Sequence, residues 1–413
     1  MALRAAMHQL GGRVLEQLLN ADGGGYRGAR IPCGHGHHAE FVDHRRKQVL
    51  TVLAPVAVQR AYYHCAPCAG GVVPKDQELD IVGTTFSPGV RRMLGRVGGQ
   101  EAFAAGRRDL AELAGVRVTT KAVERVAEAL GAQVEAVASA ERTAALTGKV
   151  ITLKAVPRVY IAIDGTGVPM VPHETDGRQG KEEAGKAKTR EAKLGCVFTQ
   201  TSVDEQGRPV RDEDSSTYVG AIEPAEAFGR RIYAEAVRRG IPRAAQVIVL
   251  GDGAPWIWGI AEEHFPGAIQ IVDLYHAREH LADLSKLVYG PGSAASKRWT
   301  TARRKELDAG DVERVVAAMG RLRARGAEVQ QAVRRGRGYF ETNAKRMRYA
   351  RFRSQGLFVG SGVVEAACKT VVGFRLKQSG MRWTVRGANA IIALRCADLS
   401  GRWEEFWEAR SAG

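Results

Sequence analysis

The sequence predicts a mixed α/β protein: a sheet domain interrupted by an all-helical insertion, preceded by a small Cys/His-rich module and a helical region. Three observations predict it. From residue 151 onward, apolar runs of strand length alternate with stretches of helical periodicity. Between 277 and 358 the helical pattern continues without any strand-like run. Near the N-terminus, three of the chain's six cysteines fall within a turn-rich segment of alternating hydrophobicity.

Taken in order, residues 1–80 read as one amphipathic helix that stops at Gly23, Gly24 and Gly25, followed by a β-hairpin or small antiparallel sheet through VLTVLAPVAVQRAYYHC. Residues 81–150 read as helical, with Val90, Met93, Leu94 and Val97 at helical spacing. Two helices are expected about a turn at Ala114-Gly115-Val116. Thr119 or Thr120 would cap the second, and Val123, Val126 and Leu130 would face inward. The length and turn fit a helix-turn-helix and fit a plain helical hairpin equally well. The sheet domain opens over 151–276, with strands expected at 159–163, 195–201, 247–250 and 269–272, and helices at 224–239 and 256–264. The polar segment 173–193 reads as a long loop between the first two strands. The insertion covers 277–358, and closing helices of the sheet domain cover 359–413.

Charge narrows the function. The 413 residues carry 61 Lys and Arg against 45 Asp and Glu, a net of +16. Residues 277–360 alone hold 19 basic and 8 acidic side chains, a net of +11, so the excess concentrates in the helical block. A polyanion is the natural partner of such a surface. No apolar run of about 18 residues exists, and the N-terminal segment lacks the apolar core of a signal peptide. A cytoplasmic, nucleoid-associated protein without a membrane partner is therefore expected.

Two motifs carry chemistry. Strand-like runs end in Asp-Gly at Asp164 (VYIAIDGTGVP) and at Asp252 (VIVLGDGAPW). Carboxylates at neighbouring strand ends form an oxygen-only cage that selects Mg²⁺ or Mn²⁺. Without a cation, each pair about 4–5 Å apart would repel by about 4 kcal/mol at an effective dielectric near 20. Spacing alone leaves the third acid open among Glu174, Glu183, Glu306 and Glu365. Of these, Glu365 follows Ser361, a possible helix N-cap, and would sit in a first helical turn. The second motif pairs Cys33, His35 and His37 with Cys65 and Cys68, a donor set for tetrahedral structural zinc. The expected ligands are Cys33, His35, Cys65 and Cys68, with His37 the substitute for His35.

The segments IDGTGVPM, AKTREAKLG, GDGAPWIW, DLYHAREHL and GSGVVEAACKTVVGFRLKQSGMRW, in this order, resemble bacterial insertion-sequence transposases of the DDE class, specifically the ISKra group. The resemblance spans nearly the whole chain. It implies an RNase H-like catalytic domain whose helical insertion precedes the last acid. It also implies that Asp164, Asp252 and Glu365 are the metal-binding triad, holding two Mg²⁺ or Mn²⁺ ions. Family members carry a second cysteine near position 35, where this chain has His35, so the fourth zinc ligand departs from the pattern. Lys186, Lys188, Arg190 and Lys193 fit phosphate contacts, as do His276, Arg375, Lys377 and Arg382, while Trp383 fits stacking on an unpaired base or, equally in keeping with its type, a buried structural ring. Asp273, with His276, reads as a support or DNA-contact feature in preference to an additional metal ligand. The implied partner is double-stranded DNA, at element ends and target, bound by a homodimer or higher oligomer. An RNase H-like nuclease that only hydrolyses, and a non-catalytic zinc-ribbon regulator, are the competing readings.

Overall fold

The structure is a computed structural model that describes residues 2–150, 155–179, 185, 187–323 and 325–411. It divides into two compact units, Met1–Leu130 and Gly131–Gly413.

In the first unit, α1 (Ala2–Asn20) precedes a four-stranded antiparallel sheet in the order β1-β2-β3-β4. These strands are Arg30–Pro32, His38–Leu50, Pro55–Cys65 and Gly70–Val72. The expected hairpin is β2–β3, closed by Thr51, whose hydroxyl donates to the Ala54 carbonyl and accepts the Leu53 and Ala54 N–H groups. The burial of β3 changes parity midway: Val56 and Val58 pack with Val49, Ile81 and Leu15 and Leu19 of α1, whereas Ala61, Tyr63 and Cys65 join a second cluster with Ile31 and Ala39. Glu16 and Asn20 of α1 hydrogen-bond the β3 backbone at Ala57 and Gln59, tying the helix to that strand. After α2 (Pro74–Glu78) come α3 (Pro88–Gln100) and α4 (Phe103–Asp109), then a π-turn over Leu110–Ala114. Gly115 supplies the positive φ of 71° that ends it. The next helix, α5, is Thr120–Leu146, and the Thr119 hydroxyl caps it through Ala122 N–H at 3.1 Å. Val90, Leu94, Leu110, Val116 and Val123 form the core of this helical part.

The second unit is built on a five-stranded sheet in the order β11-β10-β5-β6-β9. Its strands are β5 (Val156–Pro169), β6 (Thr189–Gln200), β9 (Thr217–Ala221), β10 (Ala244–Gly251) and β11 (Ile269–Val272), and a small β7–β8 ribbon (Ser202–Val203, Pro209–Val210) projects between β6 and β9. β5, β10 and β11 are mutually parallel, whereas β5–β6 and β6–β9 are antiparallel. The five consecutive residues Val159 to Ile163 are all fully buried, the mark of a central strand covered on both faces. The covering layers follow from small residues. A side chain at Gly195 would strike Phe228 and Ile232 of α6 (Ala225–Arg238). A side chain at Gly220, which packs with Leu194, would strike Ile392. Residues 194 and 195 point to opposite faces, so α6 and α7 (Pro255–His264) lie on one face and the C-terminal helices on the other.

Two sequence expectations change. β6 starts at Thr189 and pairs residue by residue with the far end of β5, as Thr189↔Pro169 through Lys193↔Gly165. The segment 189–193 is therefore strand, not loop. The insertion begins at α8 (Leu274–Tyr289) and continues through α9 (Ala294–Ala309), α10 (Val312–Gly320), α11 (Ala327–Asn343) and α12 (Tyr349–Ser354). Its buried Leu281, Leu307, Val315, Met319, Phe340 and Tyr349 belong to the same hydrophobic cluster as the sheet, so the insertion shares the sheet's core. α13 (Gly362–Ala367), a π-turn over Cys368–Gly373, α14 (Phe374–Leu376), α15 (Val385–Leu399) and α16 (Trp403–Ser411) close the chain. Among the described residues, no helix is long and apolar enough to cross a membrane.

Candidate functional site

Strand register assembles the acidic site. The parallel ladders pair Leu250 with Ala162 and Gly251 with Val272. Continuing each register sets Asp252 level with Asp164 on one side and with Asp273 on the other. Three aspartates thus stand in a row across three adjacent parallel strands: Asp252 and Asp273 lie just past the ends of β10 and β11, whereas Asp164 lies within β5, which runs on to Pro169 paired with β6 and does not end at the expected Asp-Gly. Asp164 lies opposite Leu194, whose side chain packs against the α15 side of the sheet, and α13 brings Glu365 to that same side.

The electrostatics match this placement. Burial first, then the charge of Asp252, raises the Asp164 carboxyl above the usual range, while a hydrogen bond from the Cys368 thiol and the nearby His276 pull it back. Glu365 is raised by burial and then by Asp273, with Asp164 adding to the same direction. The carboxylates of Asp164, Asp252, Asp273 and Glu365 therefore share one electrostatic neighbourhood. Of the other candidate glutamates, Glu174 accepts the Val385 N–H at 2.8 Å and lies 3.6 Å from Arg190. Glu306 is paired with Arg303 at 2.6 Å. Glu183 lies outside the described residues. The oxygen-only donor set at Asp164, Asp252 and Glu365 fits a hard divalent cation, whose charge would offset the burial that raises two of the three.

Asp273 is occupied differently. It is fully buried; one carboxylate oxygen accepts the His276 N–H at 2.7 Å and caps α8, and the other accepts the Ser361 N–H. Ser361 is not the side-chain cap expected from sequence: its hydroxyl makes no capping bond, and its backbone N–H is held by Asp273 instead. Asp273 thus fastens the start of the Glu365 helix to the sheet edge.

The basic residues sort by exposure. Lys188, Lys377 and Arg382 are exposed, and Lys377 donates to Thr166 two residues beyond Asp164. His276 is half-buried beside Glu279. Arg190 is half-buried near Glu174. Lys186 lies outside the described residues. Three expectations are corrected. Lys193 is buried in β6, where it donates to Glu191 at 2.9 Å and to the Glu223 carbonyl at 3.1 Å, with its ammonium above the Trp256 ring. Trp383 is 7% exposed and its indole N–H donates to the Leu376 carbonyl at 3.0 Å, so its ring is packed, not offered to a base. Arg375 is completely buried, its guanidinium 5.0 Å from that ring. All three are packed inside the protein. The support role expected for Asp273 is the one it has, whereas Cys368 and Tyr339 were not singled out from sequence; the i+3 spacing of Cys368 from Glu365 was the available signal for the first.

In the first unit, Cys33, His37, Cys65 and Cys68 place their ligand atoms within 4.8 Å of one another, a group that can hold zinc. The fourth ligand is His37, where sequence had favoured His35. Gly34 and Gly36, at φ 84° and 80°, curl the segment so that Cys33 N–H meets the His37 carbonyl at 2.9 Å. That turn brings His37 Nδ1 to 3.3 Å from Cys68 Sγ, while His35 Nδ1 stays at 3.8 Å. Backbone N–H donors, that of His35 foremost, lower the Cys33 thiol to about 6, and the neighbouring Cys65 and Cys33 raise Cys68 to about 11. Among the described residues, no other group of three or more ligand atoms is this tight; the acids are more widely spread.

No protein-family model matches the chain, and no curated protein matches it. Among solved structures it is similar to the one titled "Drosophila P element transposase strand transfer complex", with a TM-score of 0.27 and 10% identity over 81% of this chain and 85% of that one. A likeness at that score carries no weight beside the geometry.

Proposed function

We propose that the chain is a DDE-class DNA transposase with an RNase H-like catalytic domain, which binds the ends of an insertion sequence, cuts them and joins them to a target. The observation that carries this reading is the convergence of Asp164, Asp252 and Glu365, from two adjacent parallel strands and a helix far downstream, into one electrostatic neighbourhood. When bound there, two Mg²⁺ or Mn²⁺ ions supply activation of the attacking hydroxyl and stabilisation of the leaving oxygen. The protein's share is orientation. Sheet register fixes Asp164 and Asp252, Asp273 fixes the helix that bears Glu365, and the Cys368 thiol steadies the Asp164 carboxylate. Lys377, beside Thr166, adds positive charge where a phosphate would approach. The exposed arginines and lysines of the insertion, such as Arg304, Lys305, Arg334 and Arg335, suit phosphate contacts, which give affinity without sequence information. The zinc-binding module and the α4–α5 region are assigned to recognition of the ends. Joining two ends calls for at least a homodimer.

The test uses Asp164→Asn, Asp252→Asn and Glu365→Gln in the full chain, with DNA bearing the element's ends. Each is expected to lower Mg²⁺-dependent cleavage by about a thousandfold or more while DNA affinity stays within about threefold. Variants that still cut at wild-type rate would remove the triad assignment. Pre-cleaved ends then decide the class: joined products support a transposase, and hydrolysis alone supports a nuclease.

A further inference from the structure

The insertion does more than add basic surface. Tyr339, on α11, sends its hydroxyl to the backbone carbonyl of Asp252 at 2.8 Å. Its ring covers the next residue so closely that a side chain at Gly253 would come within 2.5 Å of it, and Gly253 also holds a φ of 101° that favours glycine. From the other side the ring lies against His280 of α8, with centroids 4.3 Å apart, and His280 in turn meets His276 at 5.2 Å. Asp252 meanwhile turns one carboxylate oxygen onto the Ala254 N–H at 2.8 Å. The 252–254 turn is therefore gripped by its own side chain and, from the insertion, by Tyr339. The neighbouring Phe340 is fully buried, which fixes this end of α11 in the shared core, while Arg334 and Arg335, one turn earlier, are exposed.

We propose that Tyr339 is a positioning residue for the second acid, so that the insertion is a structural part of the catalytic centre and not only a platform for DNA. The inference rests on the reading of Asp252 as a metal ligand. Mg²⁺ demands near-ideal octahedral geometry, so a turn held less firmly costs metal affinity first. Contacts that orient a ligand without touching the metal typically govern about 10- to 100-fold in affinity or activity.

Tyr339→Phe keeps the ring over Gly253 and removes only the hydroxyl. Mn²⁺ binding to the full chain without DNA, followed by the ion's electron paramagnetic resonance signal, is expected to weaken by about tenfold. The Mg²⁺ concentration for half-maximal cleavage should rise by a similar factor, with the DNA dissociation constant unchanged and much of the rate restored in Mn²⁺. Asp252→Asn serves as the reference that loses the ion altogether. If wild-type protein binds Mn²⁺ and Tyr339→Phe binds it equally well, the positioning role is wrong while the metal site stands. If the loss appears in DNA affinity and not in metal dependence, Tyr339 is a DNA contact and the proposal fails. If wild-type protein binds no Mn²⁺ at all, the reading of Asp252 falls, and this inference with it.

Discussion

The two candidate metal sites are assembled by different means. The cysteine knuckle of the first unit is local: one turn curled by Gly34 and Gly36 and the β3–β4 corner bring three thiols and an imidazole within 4.8 Å of one another. The acidic row of the second unit is non-local: Asp164, Asp252 and Glu365 are 88 and 113 positions apart and meet because of strand register and the helix that follows the insertion. The first is already close to coordination geometry. The second consists of like charges that repel, held at a wider spacing by a rigid sheet. A site that a short segment can close alone is suited to holding that segment together. A site that needs a whole sheet is suited to a reaction whose geometry must be kept.

The largest expected effect tests the local half of that contrast. Replacing Cys65 or Cys68 by Ser should abolish zinc binding, which in such small modules is worth about 10–16 kcal/mol at neutral pH. Metal analysis of the full chain should fall from one zinc to none, and the module should lose its cooperative melting transition. His37→Ala should weaken zinc retention against a chelator far more than His35→Ala. The reverse ranking would return the fourth position to His35.

The next effect tests the non-local half. Asp273→Asn leaves an amide where two backbone N–H groups need acceptors, so its NH₂ end must face a donor. Cleavage should drop about 10- to 100-fold, and stability should fall by about 1–3 kcal/mol for the unsatisfied buried group. Zinc content and melting of the first unit should not change. Wild-type cleavage in this variant would show that Glu365 does not depend on the Asp273 anchor.

A smaller effect follows from the raised carboxyls. Asp164 and Glu365 titrate above their unfolded values, burial being the first cause in both. Such a group destabilises the fold as pH rises from the unfolded value through the folded one, and the cost is fully present above the folded value. In the absence of divalent metal, Asp164→Asn should therefore raise the melting temperature by a few degrees at neutral pH. That gain should vanish once pH falls below the ordinary carboxylate range near 4. Apparent Mg²⁺ affinity of the wild type should increase with pH across the same window, because protons compete for the carboxylates. If Asp164→Asn lowers the melting temperature at neutral pH, the carboxylate is a structural partner and not a repelled one.

Legibility in sequence followed this same division. The cores of β5 and β10 and the Asp-Gly end of β10 were plain, since a short apolar run closed by a turn is a local signal, but β5 runs on past Asp164 to Pro169. So were α1, the β2–β3 hairpin and the Gly115 turn. The start of β6 at Thr189 was not, because polar residues 189–193 are strand only by virtue of pairing with the end of β5. His37 and His35 could not be ranked, since the choice depends on φ at Gly34 and Gly36. Asp273 and Tyr339 act through backbone groups of residues far away in the chain, and no spacing rule reports that. Arg375, Trp383 and Lys193 looked like surface chemistry from their charge and aromaticity, yet tertiary packing placed them inside.

That last difference yields the smallest and most discriminating effect. Lys188 and Arg382 are exposed, whereas Arg375 is completely buried against Trp383. Each phosphate neutralised by a cation releases condensed counterions, so log K for duplex DNA falls with log salt by about 0.9 per contact. Lys188→Ala and Arg382→Ala should each make that slope shallower by about 0.9 and leave the melting temperature within about one degree. Arg375→Met should leave the slope unchanged and lower the melting temperature, because it removes the buried guanidinium from its contact with the indole. A change of slope in Arg375→Met with no loss of stability would mean that this segment opens on DNA and offers its buried arginine to the backbone. The pair of readouts thus separates a side chain that touches DNA from one that shapes the surface that does.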